Sequence, residues 1–270
     1  MLRTRLLTLL MLLLPLVAGA QIKKDAPTVL ITGANRGIGL ELARQYAAKG
    51  WNVIATTRHP EGDPGRAALN EIHAKHPQLV VERLDVTDTA MIRGVQQKYH
   101  DQPIDVVINN AAAVEATFAA DMANASLKYD KVDFDAARHD FDVNTLGPMR
   151  VAQVFMPNIE MSKQKKLVTV TSLAGSFTRG LPGDTALNYS ASKAALNKYM
   201  TLLAITMKPK GVIVALTQPI FVASKTDLAN MKSAAPVEQG IAKLVKLIDT
   251  MTMEHAGKIT NFETGQTDPF

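Results

Sequence analysis

The stretch that most constrains the fold is residues 28–40, where a short apolar run leads into a glycine-rich turn and then an amphipathic helix. Residues 29–31 form the kind of run that is buried on both faces of a parallel sheet. Gly33, Gly37 and Gly39 then remove side chains where the backbone approaches another group closely. A dinucleotide pyrophosphate fits this place, because free N–H groups and the positive end of a helix dipole attract the anion. The alternative is a turn that only caps a helix in some other α/β protein.

Patterns typical of strands and helices alternate along the rest of the chain, which predicts βαβ units. The expected fold is one α/β domain of the Rossmann type, a doubly wound, mostly parallel seven-stranded sheet with helices on both faces. A length of 270 residues suits one such domain. Strands are expected near 28–32, 52–57, 79–84, 104–109, 167–171, 212–217 and 258–262. Helices are expected near 37–49, 64–75, 89–99, 136–157, 188–207 and 236–250.

The N-terminal segment, residues 1–20, has the layout of a secretory signal peptide. Arg3 and Arg5 precede an apolar run over 6–14, and small residues at 18–20 offer a cleavage site. The run is shorter than the roughly twenty apolar residues that span a bilayer. We therefore expect residues 21–270 to form the mature domain of an exported protein, periplasmic or secreted. The alternatives are an uncleaved membrane anchor, the one case with a membrane partner, and a misplaced start in a cytoplasmic protein.

The composition excludes several kinds of site. The chain has no cysteine, which excludes disulfides, thiolate nucleophiles and cysteine-ligated metal centres. The formal net charge of +5 falls to +3 without Arg3 and Arg5 (28 basic minus 25 acidic residues), which is too small to imply nucleic acid. His73 and His76 lie one helical turn apart but lack the H-E-x-x-H pattern of zinc enzymes, so no metal site is expected.

Residues 32–39, Thr-Gly-Ala-Asn-Arg-Gly-Ile-Gly, resemble the T-G-x-x-x-G-I-G motif of the short-chain dehydrogenase/reductase family. The resemblance covers nearly all of the chain after Pro27 and is greatest to the C-factor-like carbonyl reductases. In that family the third glycine lets helix and strand pack closely, a role that falls here to Gly39. The resemblance implies a cofactor-binding turn made of Gly33, Asn35, Arg36, Gly37, Ile38 and Gly39.

The end of the second expected strand favours NADPH over NADH. An NAD-specific site of this type usually has an acidic residue there, which accepts a hydrogen bond from the ribose 2′-hydroxyl. Arg58 stands at this point instead. Together with Arg36 it could bind the 2′-phosphate in charge-assisted hydrogen bonds. For either residue alone, the alternative is a solvated surface arginine.

Further cofactor contacts are implied after the third and fourth strands. The resemblance places Asp85, followed by Val86, at the adenine. On the residues alone, Asp88 as the N-cap of the next helix explains this segment. Asn110 and Ala111 match the family's N-N-A-G after the fourth strand, although an alanine replaces the glycine at 112. Any left-handed backbone conformation at that position is therefore in question.

After the sixth strand, the family has a Pro-Gly pair and then a loop over the nicotinamide. Pro219 matches the proline, and the resemblance implies that the backbone of Val222 contacts the carboxamide. Ile220 replaces the family's glycine, and the loop contains an apparent insertion of two residues. Pro219 and Val222 complete the expected cofactor site.

Tyr189 and Lys193 lie four positions apart on one expected helix, so their side chains point the same way. An unperturbed tyrosine has a pKa of about 10, too high for easy proton exchange at neutral pH. The lysine cation, with the positive nicotinamide of the oxidised cofactor, is expected to lower the pKa of Tyr189. Tyr189 could then donate a proton to a carbonyl oxygen and accept it back in the reverse reaction.

Two further residues complete the family's catalytic set. Ser172 ends the fifth expected strand in the family's S-x-x-G pattern, and its hydroxyl could bind the substrate oxygen. It lies outside a G-x-S-x-G elbow, which disfavours a serine hydrolase. Asn144 matches the family asparagine that holds a water linking the lysine to solvent. The alternative for Asn144 is a helix kink, because asparagine competes for backbone hydrogen bonds.

The sequence thus predicts an NADPH-dependent oxidoreductase that reduces a small-molecule carbonyl to an alcohol, with NAD as the less favoured cofactor. The catalytic residues are expected to be Asn144, Ser172, Tyr189 and Lys193, of which Tyr189 and Lys193 also contact the cofactor. The alternative is a catalytically silent NADP(H)-binding module that acts in signalling or partner contact. The long helices at 136–157 and 188–207 could pair with a second copy, in a homodimer or tetramer, or face solvent.

Overall fold

An eight-stranded sheet runs through the computed structural model, which describes residues 22–59, 61, 64–113, 130, 132–178, 186–218 and 237–269. The spatial order of the strands is β3-β2-β1-β4-β5-β6-β7-β8. All neighbours pair in parallel except β7 and β8, which are antiparallel. The strands are β1 (Thr28–Ile31), β2 (Asn52–Thr57), β3 (Leu79–Arg83), β4 (Val106–Asn109), β5 (Lys166–Val170), β6 (Ile213–Gln218), β7 (Ile259–Asn261) and β8 (Thr267–Asp268).

Helices cover both faces of this sheet. Those described are α1 (Gly37–Ala48), α2 (Pro64–Lys75), α3 (Thr89–Lys98), α4 (Phe134–Phe141), α5 (Gly147–Met161), α6 (Leu187–Met207) and α7 (Val237–Thr250), with a π-helical turn (Asp142–Leu146) between α4 and α5. Val29 and Ile31 pack with α1, α2 and α7, whereas Leu30 packs with α3, α5 and α6. Successive side chains of a strand point to opposite faces, so a strand covered on both faces is apolar throughout.

The predicted doubly wound α/β fold is therefore confirmed, with one more strand than expected. The additional strand, β8, has only two residues and pairs antiparallel with β7. A strand this short has no detectable two-residue periodicity.

The helix expected at 136–157 also differs. It begins at Phe134, is interrupted by the π-helical turn and continues past Pro157 to Met161. A proline inside a helix lacks one backbone hydrogen bond, and here the helix continues despite that loss.

Several expectations fall on residues that the structure does not describe. They are the signal peptide at 1–20 and the loop after β6 with Pro219, Ile220 and Val222. Within the described ranges, no helix is both long and apolar enough to cross a bilayer.

The strand order places a crevice at the middle of the sheet. From β1 the chain continues outward to β2 and β3, and β4 then pairs on the other side of β1. In open α/β sheets, ligands bind beyond the carboxyl ends of the strands at such a reversal. Gly33 follows β1 and Asn110 follows β4, so both lie at this point.

Candidate active site

Hydrogen bonds join the segments that follow β1 and β4. The Asn110 amide donates to the carbonyls of Thr32, at 2.9 Å, and Gly33, at 3.1 Å. The Thr32 hydroxyl accepts from the backbone N–H groups of Asn110, at 3.0 Å, and Ala111, at 3.1 Å. These bonds fix the glycine-rich turn against the end of β4. The sequence reasoning assigned no role to Thr32, although its hydroxyl stands between two expected cofactor segments.

The glycines of the turn allow close approaches of the backbone. Gly33 has a φ of +66° and packs against Ala111, whose Cα would lie 3.0 Å from a Cβ at position 33. A Cβ on Gly39 would lie 2.2 Å from the Gly33 carbonyl oxygen and 2.5 Å from Nδ2 of Asn110. Gly39 was expected to let helix and strand pack closely. The closest contacts are instead with the turn itself and Asn110.

The remaining residues of the turn differ in exposure. Gly37 is the first residue of α1, and Arg36 is the exposed residue immediately before it. Asn35 is half-buried, and Ile38 packs against the hydrophobic core that α1 covers. The turn therefore has its one cationic side chain directed to solvent at the start of a helix.

Asp85 and Arg58 follow neighbouring strands, β3 and β2. Partial burial raises the pKa of the Asp85 carboxyl. Hydrogen bonds from Thr87 and the charges of Arg58 and His139 together lower that pKa by more, so that the net shift is downward. Oδ1 of Asp85 accepts from the Thr87 N–H at 2.9 Å and the Thr87 hydroxyl at 2.8 Å. Arg58 is exposed and interacts electrostatically with Asp85.

The segment after Asp85 has structural roles of its own. Val86 is buried, and its Cγ2 would lie 2.8 Å from a Cβ on Gly147. Asp88 caps α3 and accepts from the N–H of Met91 at 2.9 Å, so its expected N-cap role is confirmed. Ala112, which replaces the family's glycine, does not have a left-handed backbone conformation. Lys165 is the one non-glycine residue of the described ranges with a positive φ.

Asn144 lies in the π-helical turn and is fully buried. Its Oδ1 accepts from the N–H of Ala113 at 2.8 Å, and its Nδ2 donates to the carbonyl of Ala113 at 2.9 Å. Nδ2 also donates to Oγ of Ser192 on α6 at 3.0 Å. The alternative for Asn144 was a helix kink, and the structure has a π-helical turn at this position. Its side chain joins the segment after β4 to α6, and the proposed water contact stays a prediction.

Ser172, Tyr189 and Lys193 lie together beyond the carboxyl end of β5. The side chains of Tyr189 and Ser172 are hydrogen-bonded. Nζ of Lys193 lies 5.7 Å from the centre of the Tyr189 ring and donates to the Val170 carbonyl at 3.2 Å. A Cβ on Gly175 would lie 2.7 Å from the backbone carbon of Lys193. The glycine of the S-x-x-G pattern therefore lets α6 approach the end of β5.

Burial governs the proton affinities of this pair. It raises the pKa of the Tyr189 phenol, the hydrogen bond with Ser172 lowers that pKa, and the charge of Asp140 raises it. Burial also lowers the pKa of Lys193 to about 8, against the opposing effect of Asp140. The pKa of Tyr189 was expected to fall beside the lysine cation and the positive nicotinamide of the oxidised cofactor, and that stays a prediction. In the protein alone, burial has the largest effect and raises the pKa, because a phenolate is costly to form in a buried place.

Asp140 is the member of this cluster that the sequence reasoning missed. It lies on α4, and only 2% of its surface is exposed. A signal was present in the sequence, because Asp140 precedes Asn144 by four residues and would share its face of the helix expected at 136–157. A charged residue on the buried face of a helix is unusual enough to consider as part of a site.

A family model, short chain dehydrogenase, matches residues 27–236. The chain belongs to the short-chain dehydrogenase family. It is an oxidoreductase of that family, whose fold the described sheet has.

Individual relatives are similar over different lengths. C-signal of Myxococcus xanthus is 29% identical over 161 residues, which are 60% of this chain and 90% of that protein. The short-chain dehydrogenase/reductase atnB of Arthrinium sp is 27% identical, over 84% of this chain and 94% of that one. Among solved structures, NADPH-bound carbonyl reductase from chicken fatty liver superposes with a TM-score of 0.76 at 26% identity, covering 91% of this chain and 99% of that one.

Proposed function

We propose that this short-chain dehydrogenase reduces the carbonyl group of a small molecule to an alcohol, with NADPH as the hydride donor and Tyr189 as the proton donor. The observation that carries the proposal is the convergence of three side chains beyond β5. The Tyr189 phenol is hydrogen-bonded to Ser172, and the Lys193 ammonium lies 5.7 Å from its ring. This arrangement supplies both a proton donor and a hydroxyl that can bind a carbonyl oxygen.

The residues at the other end of the crevice suit NADPH. The glycine-rich turn is fixed against the segment after β4 by hydrogen bonds, and α1 begins at its end, where N–H groups attract a pyrophosphate. Arg36 and Arg58 are exposed and follow the carboxyl ends of the neighbouring strands β1 and β2, where they can meet a 2′-phosphate. The chicken carbonyl reductase, which is similar over nearly its full length, has NADPH bound. Asp85, Val86, Asn110 and Ala111 are proposed to complete the described part of the cofactor site.

The bound cofactor would supply the hydride to the carbonyl carbon. The Ser172 hydroxyl donates a hydrogen bond to the carbonyl oxygen as negative charge develops there. Tyr189 transfers its proton to that oxygen, and the Lys193 ammonium stabilises the phenolate that remains. We propose that Asn144 orders the water through which the pair is reprotonated.

The test is single-turnover reduction of an aromatic aldehyde by purified protein and NADPH. Tyr189→Phe should lower the rate about 10²- to 10⁴-fold, because the proton donor is lost. The dissociation constant for NADPH should stay within about twofold, since the phenyl ring still fills its place. Tyr199→Phe is the matched control, because Tyr199 lies on the same helix with 45% of its surface exposed. It should react like the unmodified protein.

A catalytically silent NADP(H)-binding module is the second candidate. It is favoured by the raised pKa of Tyr189 and by the similarity to C-signal, whose name is that of a signal rather than an enzyme. This candidate requires normal NADPH binding and no reduction of a panel of aldehydes and ketones. Equal rates in Tyr189→Phe and the unmodified protein would contradict the catalytic proposal.

A further inference from the structure

Asp140 is a buried carboxylate on α4, whereas other charged side chains of this helix are exposed to solvent. Its surface is 2% exposed, whereas the side chains of Asp135 and Arg138 form an ion pair that is open to solvent. The outer face of α4 is therefore neutralised at the surface, and the charge of Asp140 faces the interior. A charge in that position is costly unless an opposite charge compensates it.

Two contacts fix the position of α4 against α6. At the start of α4, the Asn188 amide donates to the carbonyl of Asp133 at 3.3 Å. After the end of α4, the Asn144 amide donates to Ser192 at 3.0 Å. Asp140 lies between these two contacts along the chain, and its side chain is buried. The two α6 residues in these contacts, Asn188 and Ser192, immediately precede Tyr189 and Lys193, so this buried stretch of α4 is held against the part of α6 that carries the pair.

Lys193 needs a compensating charge. Its surface is 3% exposed, and its ammonium donates to a neutral acceptor, the Val170 carbonyl. The carboxylate of Asp140 interacts electrostatically with Lys193 and with Tyr189, and it raises the pKa of both. In the π-helical turn beside α4, the carboxylate of Asp142 accepts from Arg150 at 2.6 Å, so that its charge is already paired.

We propose that Asp140 is a positioning residue, the buried counter-charge that keeps the Tyr189–Lys193 pair protonated. The functional meaning of this inference rests on the proposed function, because carbonyl reduction starts from the protonated phenol. Removal of the charge makes the pair lose its proton at lower pH. The pH limits of reduction and of the reverse oxidation then move together, since both depend on the same proton.

Lysine side-chain NMR of cofactor-free protein labelled at lysine Cε tests the proposal directly. Lys193, identified by the signal missing in Lys193→Met, should titrate near pH 8. Asp140→Asn should lower that midpoint by about one pH unit, as expected for loss of a nearby opposite charge. Asp140→Glu should restore it. Asp135→Asn is the control, because it removes an exposed charge from the same helix and should leave the midpoint in place. An unchanged midpoint in folded Asp140→Asn overturns the proposal.

Lys193→Met provides a second measurement if Asp140→Asn does not fold. This variant leaves Asp140 without its cation, so the folded-state pKa of Asp140 should rise above its unfolded value. Its loss of stability relative to the unmodified protein should therefore grow as the pH increases from 5.5 to 8. An equal loss at the two pH values overturns the proposal.

These results are distinct from a failure of the proposed function. Neither measurement uses cofactor or substrate. A shifted Lys193 midpoint in a protein that reduces no carbonyl would reject the enzyme activity and keep the counter-charge. An unshifted midpoint in an active reductase would reject the counter-charge role of Asp140 and keep the enzyme activity.

Discussion

The two ends of the crevice differ in the groups that line them and in how far those groups are buried. Beyond β1 and β2, the proposed cofactor end consists of glycine backbone and two exposed arginines, Arg36 and Arg58. Beyond β5, the proposed catalytic end consists of side chains that are buried or half-buried, among them Lys193 and Asp140. The arginine charges stay solvated at one end, whereas at the other end burial shifts the proton affinity of Lys193 downward.

This difference follows from what each end is proposed to do. A phosphate is bound well by cations that remain charged at every physiological pH, and solvent exposure keeps them so. A proton can be transferred only by groups whose protonation changes, and burial brings the pKa of one of them, Lys193, closer to neutral pH. The comparison predicts that changes at one end leave the other end intact.

The largest effect is expected from Gly39→Ala at the cofactor end. Its Cβ would meet the Gly33 carbonyl oxygen at 2.2 Å, so the turn must shift. The free energy of unfolding should fall by about 3 kcal/mol, the upper part of the range for overpacking. NADPH affinity should fall more than about 100-fold by calorimetry, while the Lys193 titration midpoint should remain near pH 8.

Gly94→Ala is the matched control for that variant. Gly94 lies in α3, and a Cβ there would meet no heavy atom within 4 Å apart from its chain neighbours and the backbone of its own helix. This substitution should stabilise the protein by about 0.5–1 kcal/mol, because alanine favours a helix over glycine. A Gly39→Ala protein that binds NADPH normally would show that the turn is not the cofactor end.

A smaller effect is expected from Asn144→Ala at the catalytic end. The substitution leaves the N–H and carbonyl of Ala113 and the hydroxyl of Ser192 without the amide that they contact. Urea unfolding should show a loss of about 2 kcal/mol, typical of a buried polar group that loses its partner. The exposed Asn70 of α2 is the control, and its change to alanine should alter stability by less than about 0.7 kcal/mol. A loss as small as that in Asn144→Ala would mean that water replaces the amide.

The smallest effect is expected from Arg58→Ala. NADPH affinity should weaken about tenfold, which corresponds to about 1.4 kcal/mol, and NADH affinity should stay unchanged, because only NADPH carries the 2′-phosphate. Arg93→Ala removes an exposed cation from α3 and should leave both affinities unchanged. Equal weakening of NADPH and NADH in Arg58→Ala would assign Arg58 to another part of the cofactor.

The fold was predictable because its elements have strong local patterns. Apolar runs marked the seven parallel strands, and glycine marked the turn after β1. β8 was missed, since its two residues pair only after β7 has been placed. The interruption of the helix around Asn144 was weighed only as an alternative, because the competing bonds of its amide go to residues far away in the chain, Ala113 and Ser192.

The candidate site was predictable to a lesser degree. Short sequence motifs predicted Ser172, Tyr189 and Lys193 as site residues, and the structure brings these three together. The effect of burial on the Tyr189 pKa was not predicted, because burial is a property of the packed chain and not of the motif. Asp140 was missed for the same reason.

The sequence by itself determined the alternation of strands and helices, the glycine-rich turn and the identity of the groups that can exchange protons. These follow from the short-range preferences of the backbone and from the chemistry of individual side chains. The tertiary structure decided which charges are buried together and how strongly each holds its proton. Those quantities depend on the distance between α4 and α6 and on the exclusion of water between them, and packing of the whole domain sets both.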